Sequence, residues 1–174
     1  MESIRLVRPA PEHERAVMEY REEFLRDGDS LDGTAGLRHA ESYRAWMEKA
    51  RRNEFSETLD EGLVEATTFL AIRESDGALV GFIDVRHRLN EYLAKFGGHI
   101  GYSVRACERK KGYAKEMLFQ ALAYCKTLGL KRALVTCNDD NEASRRTILA
   151  HGGVMENTMT EDNGQVVERY WIEL

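Results

Sequence analysis

Between His99 and Cys137 the hydrophobic period changes twice, from strand alternation to a helical stripe and back, which constrains the fold more than any other feature. A strand over about His99–Arg105 leads into a helix opening at Gly112. Its apolar residues Met117, Leu118, Ala121, Leu122, Cys125 and Leu128 share one face and stop at Gly129. A β-rich run, Ala133–Cys137, follows. Two strands joined by such a helix lie parallel in one sheet, through a right-handed crossover.

The flanks carry hairpin signals instead. Thr67–Arg73 and Leu79–Arg86 read as strands about an Asp76-Gly77 turn, and Val154–Met159 and Val166–Ile172 as strands about Asn163-Gly164. A strand over Ser3–Arg8 is broken by Pro9 and Pro11, and a helix follows through Val17, Met18 and Leu25. A glycine- and aspartate-rich loop over 27–36 precedes a second helix over about Ala40–Arg51 with Trp46 and Met47 inward, and a last helix spans about Asn141–Ala150. The expectation is one domain over residues 1–174, an α/β fold of the α+β kind whose central mixed sheet is flanked by helices. It is not a doubly wound Rossmann order.

Charge and thiols narrow the function. Lys and Arg total 25 against 30 Asp and Glu, a net charge of -5, which disfavours a general polyanion surface and so nucleic acid as a partner. Cys107, Cys125 and Cys137 have neither disulfide-framework nor zinc spacing, so reduced thiols, no metal and a cytoplasmic location are expected. No run approaches the length of a membrane span, and nothing near the start resembles a signal peptide.

Against this acidic background Arg109, Lys110, Lys111 and Lys115 gather where the long helix begins, around Gly112. Cations at a helix N-terminus oppose the macrodipole by about 0.3–1 kcal/mol each when exposed. A bound anion reverses that penalty, because free first-turn amides bind phosphate and glycine permits close approach. Taken alone, the turn fits either a phosphate site or a solvated surface. Neither GxxxxGK[ST] nor GxGxxG is present there, which disfavours nucleotide hydrolysis and dinucleotide binding.

The run Arg109-Lys-Lys-Gly112-Tyr113-Ala114 resembles the Arg/Gln-x-x-Gly-x-Gly/Ala signature of the GNAT N-acetyltransferase superfamily, in the same strand-to-helix setting. Asn141-Glu-Ala-Ser144 is similar to the family's second motif, and Gly152 falls at its usual glycine. The likeness covers about the last two thirds of the chain. It implies a GNAT-like acyl-CoA N-acyltransferase fold, acetyl-CoA as acyl donor, and a small-molecule or peptide amine as acceptor. A homodimer through the terminal strands is common in the family.

By that resemblance the pyrophosphate lies on the amides of Lys110, Lys111, Gly112, Tyr113, Ala114 and Lys115, with Arg109 at the entrance. Tyr102, Ser103 and Val104 flank the pantetheine arm, a main-chain amide near Val104 polarises the thioester carbonyl, and Asn141 and Ser144 contact the coenzyme. The position before Ile100-Gly101-Tyr102 is often Glu in the family; here it is His99, whose ordinary pKa of about 6.5 suits a general base. Asp84, Arg86 and His87 are alternatives for base or substrate contact. Arg145 and Arg146 are candidates for the ribose phosphate, against the commoner reading of a solvated helix face.

Two departures stand out. The Tyr that protonates the leaving thiolate in many members falls at Ile148, leaving Ser144, Tyr113 or water as donor; Ala106 stands where Pro is common, beside Cys107, a bystander thiol. The missing Tyr keeps open a catalytically silent acyl-CoA sensor, and an unrelated phosphate ligand is a third reading of the turn.

Overall fold

A computed structural model describes residues 2–174. Its strands are β1 Ile4–Val7, β2 Ala66–Arg73, β3 Leu79–Arg86, β4 Ile100–Val104, β5 Arg132–Asn138, β6 Val154–Thr160 and β7 Val166–Glu173. Its α-helices are α1 Glu14–Asp27, α2 Tyr43–Arg52, α3 Tyr113–Thr127 and α4 Glu142–Leu149. One sheet runs β1-β2-β3-β4-β5-β7-β6, antiparallel at every pairing except β4 with β5. The parallel pair is the one bridged by α3, as the double change of period requires.

Side-chain alternation along the strands divides the core into two layers. On one face Phe69, Ala71, Ile83 and Val85 pack with Met117, Leu118, Ala121 and Cys125 of α3 and Ile148 of α4. On the other, Leu70, Ile72 and Phe82 pack with Val17, Tyr20 and Phe24 of α1 and Trp46 and Met47 of α2. Each large apolar side chain so buried contributes about 2 kcal/mol.

Helix ends follow local chemistry. α2 starts later than its apolar pattern suggests because the Ser42 hydroxyl accepts the Ala45 amide at 3.2 Å and caps it. β4 begins at Ile100 rather than His99, since Gly98 has φ +65° and breaks the strand. A π-helical turn, Leu93–Gly97, precedes it and was not expected from the sequence pattern. The guanidinium of Arg169 on β7 holds this turn through the Ala94 carbonyl at 2.7 and 3.0 Å.

The feature that shapes the site is the parallel pairing itself. Register between β4 and β5 is confined to Ile100 opposite Val135, whereas β3 pairs with β4 from Gly81–Val104 to Val85–Ile100. Beyond Ile100, β4 and β5 part. No helix among the described residues is long and apolar enough to cross a membrane.

Candidate active site

The parted strands leave a backbone edge unpaired. Arg105 donates its amide to Val80 at 2.9 Å, so alternation turns Arg105, Ser103 and Gly101 toward β3. The main-chain groups of Tyr102 and Val104 therefore face the gap. The Val104 carbonyl accepts the Arg109 Nε at 3.0 Å.

Directly beyond β4 the chain enters the basic turn. Lys110 has φ +61° and Gly112 φ +92°, and these two left-handed residues curl the main chain so that successive amides point outward. The amides of Lys110, Lys111, Gly112, Tyr113 and Ala114 find no acceptor among the described residues. Two of the four cations are already paired: Arg109 with Asp29 at 2.8 Å and Lys111 with Glu108 at 2.9 Å. Lys110 and Lys115 have no carboxylate partner among the described residues. The result is a concave row of donors with two unneutralised ammonium groups at the head of the gap.

α4 closes the other side. The Asn141 side chain accepts the Ser144 amide at 3.1 Å and caps the helix, so it orients α4 rather than reaching outward. The Ser144 hydroxyl meets the Tyr102 hydroxyl at 2.7 Å, joining β4 to the second sequence motif across the gap. Burial pushes the Tyr102 phenol up to about 12, so it stays protonated. Ile148, fully buried, fills the core position where a family Tyr was expected.

The expected base does not fit the geometry. His99 is 5% exposed and its Nδ1 accepts the Leu134 amide at 2.9 Å. A neutral imidazole with an accepting Nδ1 carries its proton on Nε2, so the remaining nitrogen is a donor and takes up no proton. Burial, reinforced by the Arg86 charge, pushes His99 down to about 4. His99 braces the point where β4 and β5 still touch.

That shift has a measurable consequence. The folded pKa lies below the unfolded value of about 6.5, so the stabilisation is complete above pH 6.5 and is lost as pH falls toward 4. His99→Asn keeps an acceptor for the Leu134 amide but does not titrate in this range. Urea unfolding between pH 7 and about pH 4.5 is expected to show the native chain losing about 2 kcal/mol more than the variant. Parallel pH profiles would refute the buried neutral ring.

The alternatives are displaced too. His87 packs on the α3 face, its Nε2 on the Thr67 hydroxyl at 2.8 Å and its ring near Tyr124, with burial lowering its pKa. Its bond runs toward β2, away from the gap. Asp84 is buried opposite Gly101, and each of its carboxylate oxygens already has a partner, Thr68 at 2.7 Å and Arg86 at 3.0 Å. Tyr113 is buried with its hydroxyl against Arg73, which removes it as donor to a thiolate in the gap. The Ser103 hydroxyl is turned away, bonding Tyr20 at 3.0 Å and the Asp32 carbonyl at 2.7 Å.

Arg145 is engaged by Glu168 at 2.8 Å, and exposed Arg146 pairs with Glu142 at 2.7 Å. Cys107 is exposed, while burial and the neighbouring Glu168 push the Cys137 thiol up to about 12. The sequence pattern points only to the backbone of Tyr102 and not to its hydroxyl. No local signal links Tyr102 to Ser144.

A model of the acetyltransferase (GNAT) domain matches residues 4–154. A search of curated protein sequences gives no match. Among solved structures the chain is similar to RimL, a ribosomal L7/L12 α-N-protein acetyltransferase in complex with coenzyme A, at 18% identity and TM-score 0.71, covering 99% of this chain and 94% of that one. It is similar to the microcin C7 self-immunity acetyltransferase MccE in complex with acetyl-CoA and AMP, at 16% identity and TM-score 0.69, covering 100% and 94%. It is also similar to the spermidine/spermine N-acetyltransferase SpeG from Vibrio cholerae, at 16% identity and TM-score 0.67, covering 98% and 93%. These likenesses establish a shared fold, and the family match over most of the chain establishes more: this protein belongs to the GNAT acetyltransferase family and is an acyltransferase.

Proposed function

We propose that the chain transfers an acetyl group from acetyl-CoA to a primary amine of a small molecule or peptide, by direct attack of the amine on the thioester. The observation that carries this reading is the free β4 edge, which runs straight into the unpartnered amides at the start of α3. Relatives of the same fold hold acetyl-CoA or coenzyme A, which supports the donor. A pyrophosphate on the turn leaves the pantetheine arm to run back along β4, past Val104 first and Tyr102 second. We therefore assign the Tyr102 amide, rather than that of Val104, to the thioester carbonyl, where it meets the developing oxyanion.

The chemistry then needs two proton movements. The N–C bond forms and the C–S bond breaks; the nitrogen sheds one proton to solvent as the amide forms, the thiolate takes one from the Ser144 hydroxyl, Tyr102 at 2.7 Å restores that hydroxyl, and Tyr102 regains its proton from solvent as the products leave. This pair takes the role left open by Ile148. None of His99, His87 and Asp84 presents a free basic atom to the gap, so the amine loses its proton to solvent and reacts as the free base.

Free-thiol release from acetyl-CoA with a panel of amines tests the activity. Ser144→Ala is expected to lower kcat by about 10- to 100-fold with little change in KM for acetyl-CoA. Tyr102→Phe is expected to act similarly, and the double variant no worse than either alone. Unchanged kcat in Ser144→Ala would remove the relay.

A further inference from the structure

We propose that Arg86 is a specificity-determining residue for the acceptor, selecting amines whose amine-bearing carbon also carries a neutral carbonyl group. This rests on the acetyl-transfer reading above and concerns the face of β4 opposite Ser144.

Gly101 precedes Tyr102, and its missing side chain is replaced in space by the Arg86 guanidinium. A Cβ built on Gly101 would lie 3.2 Å from both Nη1 and Nη2. The guanidinium is fixed at two points, Nε to the buried Asp84 carboxylate at 3.0 Å and Nη1 to the Gly97 carbonyl at 3.2 Å. Asp84 is itself anchored by Thr68 at 2.7 Å, so the fork cannot swing. Nη2 has no acceptor among the described residues, yet it is not a sealed, unsatisfied atom, and the side chain is 22% exposed. A rigid, partly exposed donor thus stands one residue from the amide assigned to the thioester carbonyl.

The charge of this group decides which acceptors it suits. Asp84 offsets the positive charge of Arg86, so the pair as a whole is close to neutral. A carbonyl oxygen gains a directed hydrogen bond there, while a second ammonium, as on a polyamine, meets the donor face of a guanidinium. A full carboxylate gains less because Asp84 already competes for the same cation. A polar site of this kind also discriminates strongly against an analogue that lacks the matching atom, since the donor is then left without a partner.

The test compares alaninamide with isopropylamine, the same amine without the carbonyl, using kcat/KM expressed per unprotonated amine. The native protein is expected to prefer alaninamide by at least about 30-fold. Removing Arg86 alone strands the buried Asp84, so the variant is the pair Asp84→Asn with Arg86→Gln, which keeps the site neutral. In it the preference is expected to fall within about threefold, with acetyl-CoA affinity retained. Arg86→Lys is expected to give an intermediate value because it keeps a cation without the fork.

A native ratio near one, spermidine or alanine turned over faster than alaninamide, or an unchanged ratio in the double variant would each overturn the proposal while leaving acetyl transfer intact. Acetyl-CoA bound with no amine turned over would overturn both.

Discussion

Gly33→Ala is expected to lower stability by about 3 kcal/mol, a fall in Tm of about 6–12 °C for a chain of this size. Gly33 has φ +71°, and a Cβ there would meet the Gly101 carbonyl carbon at 2.7 Å and the Tyr102 Cα at 2.8 Å, with the Gly101 oxygen closer still. All three are backbone atoms of β4, so none can rotate aside. The left-handed backbone alone costs Ala about 1 kcal/mol, and the collision adds the larger share. Relief requires the loop to lift off the strand, which stretches the Ser103 bond to the Asp32 carbonyl and the Trp46 bond to the Thr34 carbonyl, each 2.7 Å. Because this loop lies against Gly101, acceptor kcat/KM is expected to fall more than 10-fold, with acetyl-CoA affinity affected less. Gly36→Ala is the matched control: φ is +78° but nothing lies within 4 Å, so only the conformational cost of about 1 kcal/mol applies. Calorimetric scans of the two variants decide the matter; equal melting temperatures would mean that Gly33 is not a close-approach glycine.

The architecture was legible because its determinants are local. The strand, helix and strand around Gly112 announce themselves through period, and Gly77 and Gly164 sit at φ +74° and +87° in the turns that Asp76-Gly77 and Asn163-Gly164 foretold. The basic turn was legible for the same reason, since all its residues are consecutive. The surroundings of the candidate catalytic residues were not legible, because their partners are distant in sequence. His99 looks like a base until Leu134, 35 residues on, is seen to donate to its Nδ1. Asp84 looks available until Thr68 and Arg86 take both oxygens. Tyr102 and Ser144 lie 42 residues apart, and their contact depends on how far β4 parts from β5. The π-helical turn at Leu93–Gly97 has a comparable cause, because it is held by Arg169 from 75 residues away.

The cradle at the start of α3 supports the other large effect: Gly112→Val is expected to raise the Kd for acetyl-CoA by at least about 100-fold, equivalent to about 2.7 kcal/mol. Gly112 stands at φ +92°, beyond even the left-handed region that a side chain tolerates, and a β-branched residue is the least able to adopt it. Its carbonyl accepts the Lys115 and Glu116 amides at 3.1 and 3.2 Å, so the first turn of α3 is anchored on it. Relaxing φ rotates that carbonyl and the adjacent amides together, and the donors of Lys110 to Ala114 no longer converge. Calorimetric titration of variant and native protein with acetyl-CoA measures the change, with circular dichroism establishing that the variant is folded. The same titration at rising ionic strength is expected to weaken native binding modestly, because Lys110 and Lys115 attract the anion through solvent while the amides do so at contact. Charge reversal at Lys110 is therefore expected to be milder than Gly112→Val. An ordering the other way round would mean that general attraction, rather than the shape of the turn, holds the ligand.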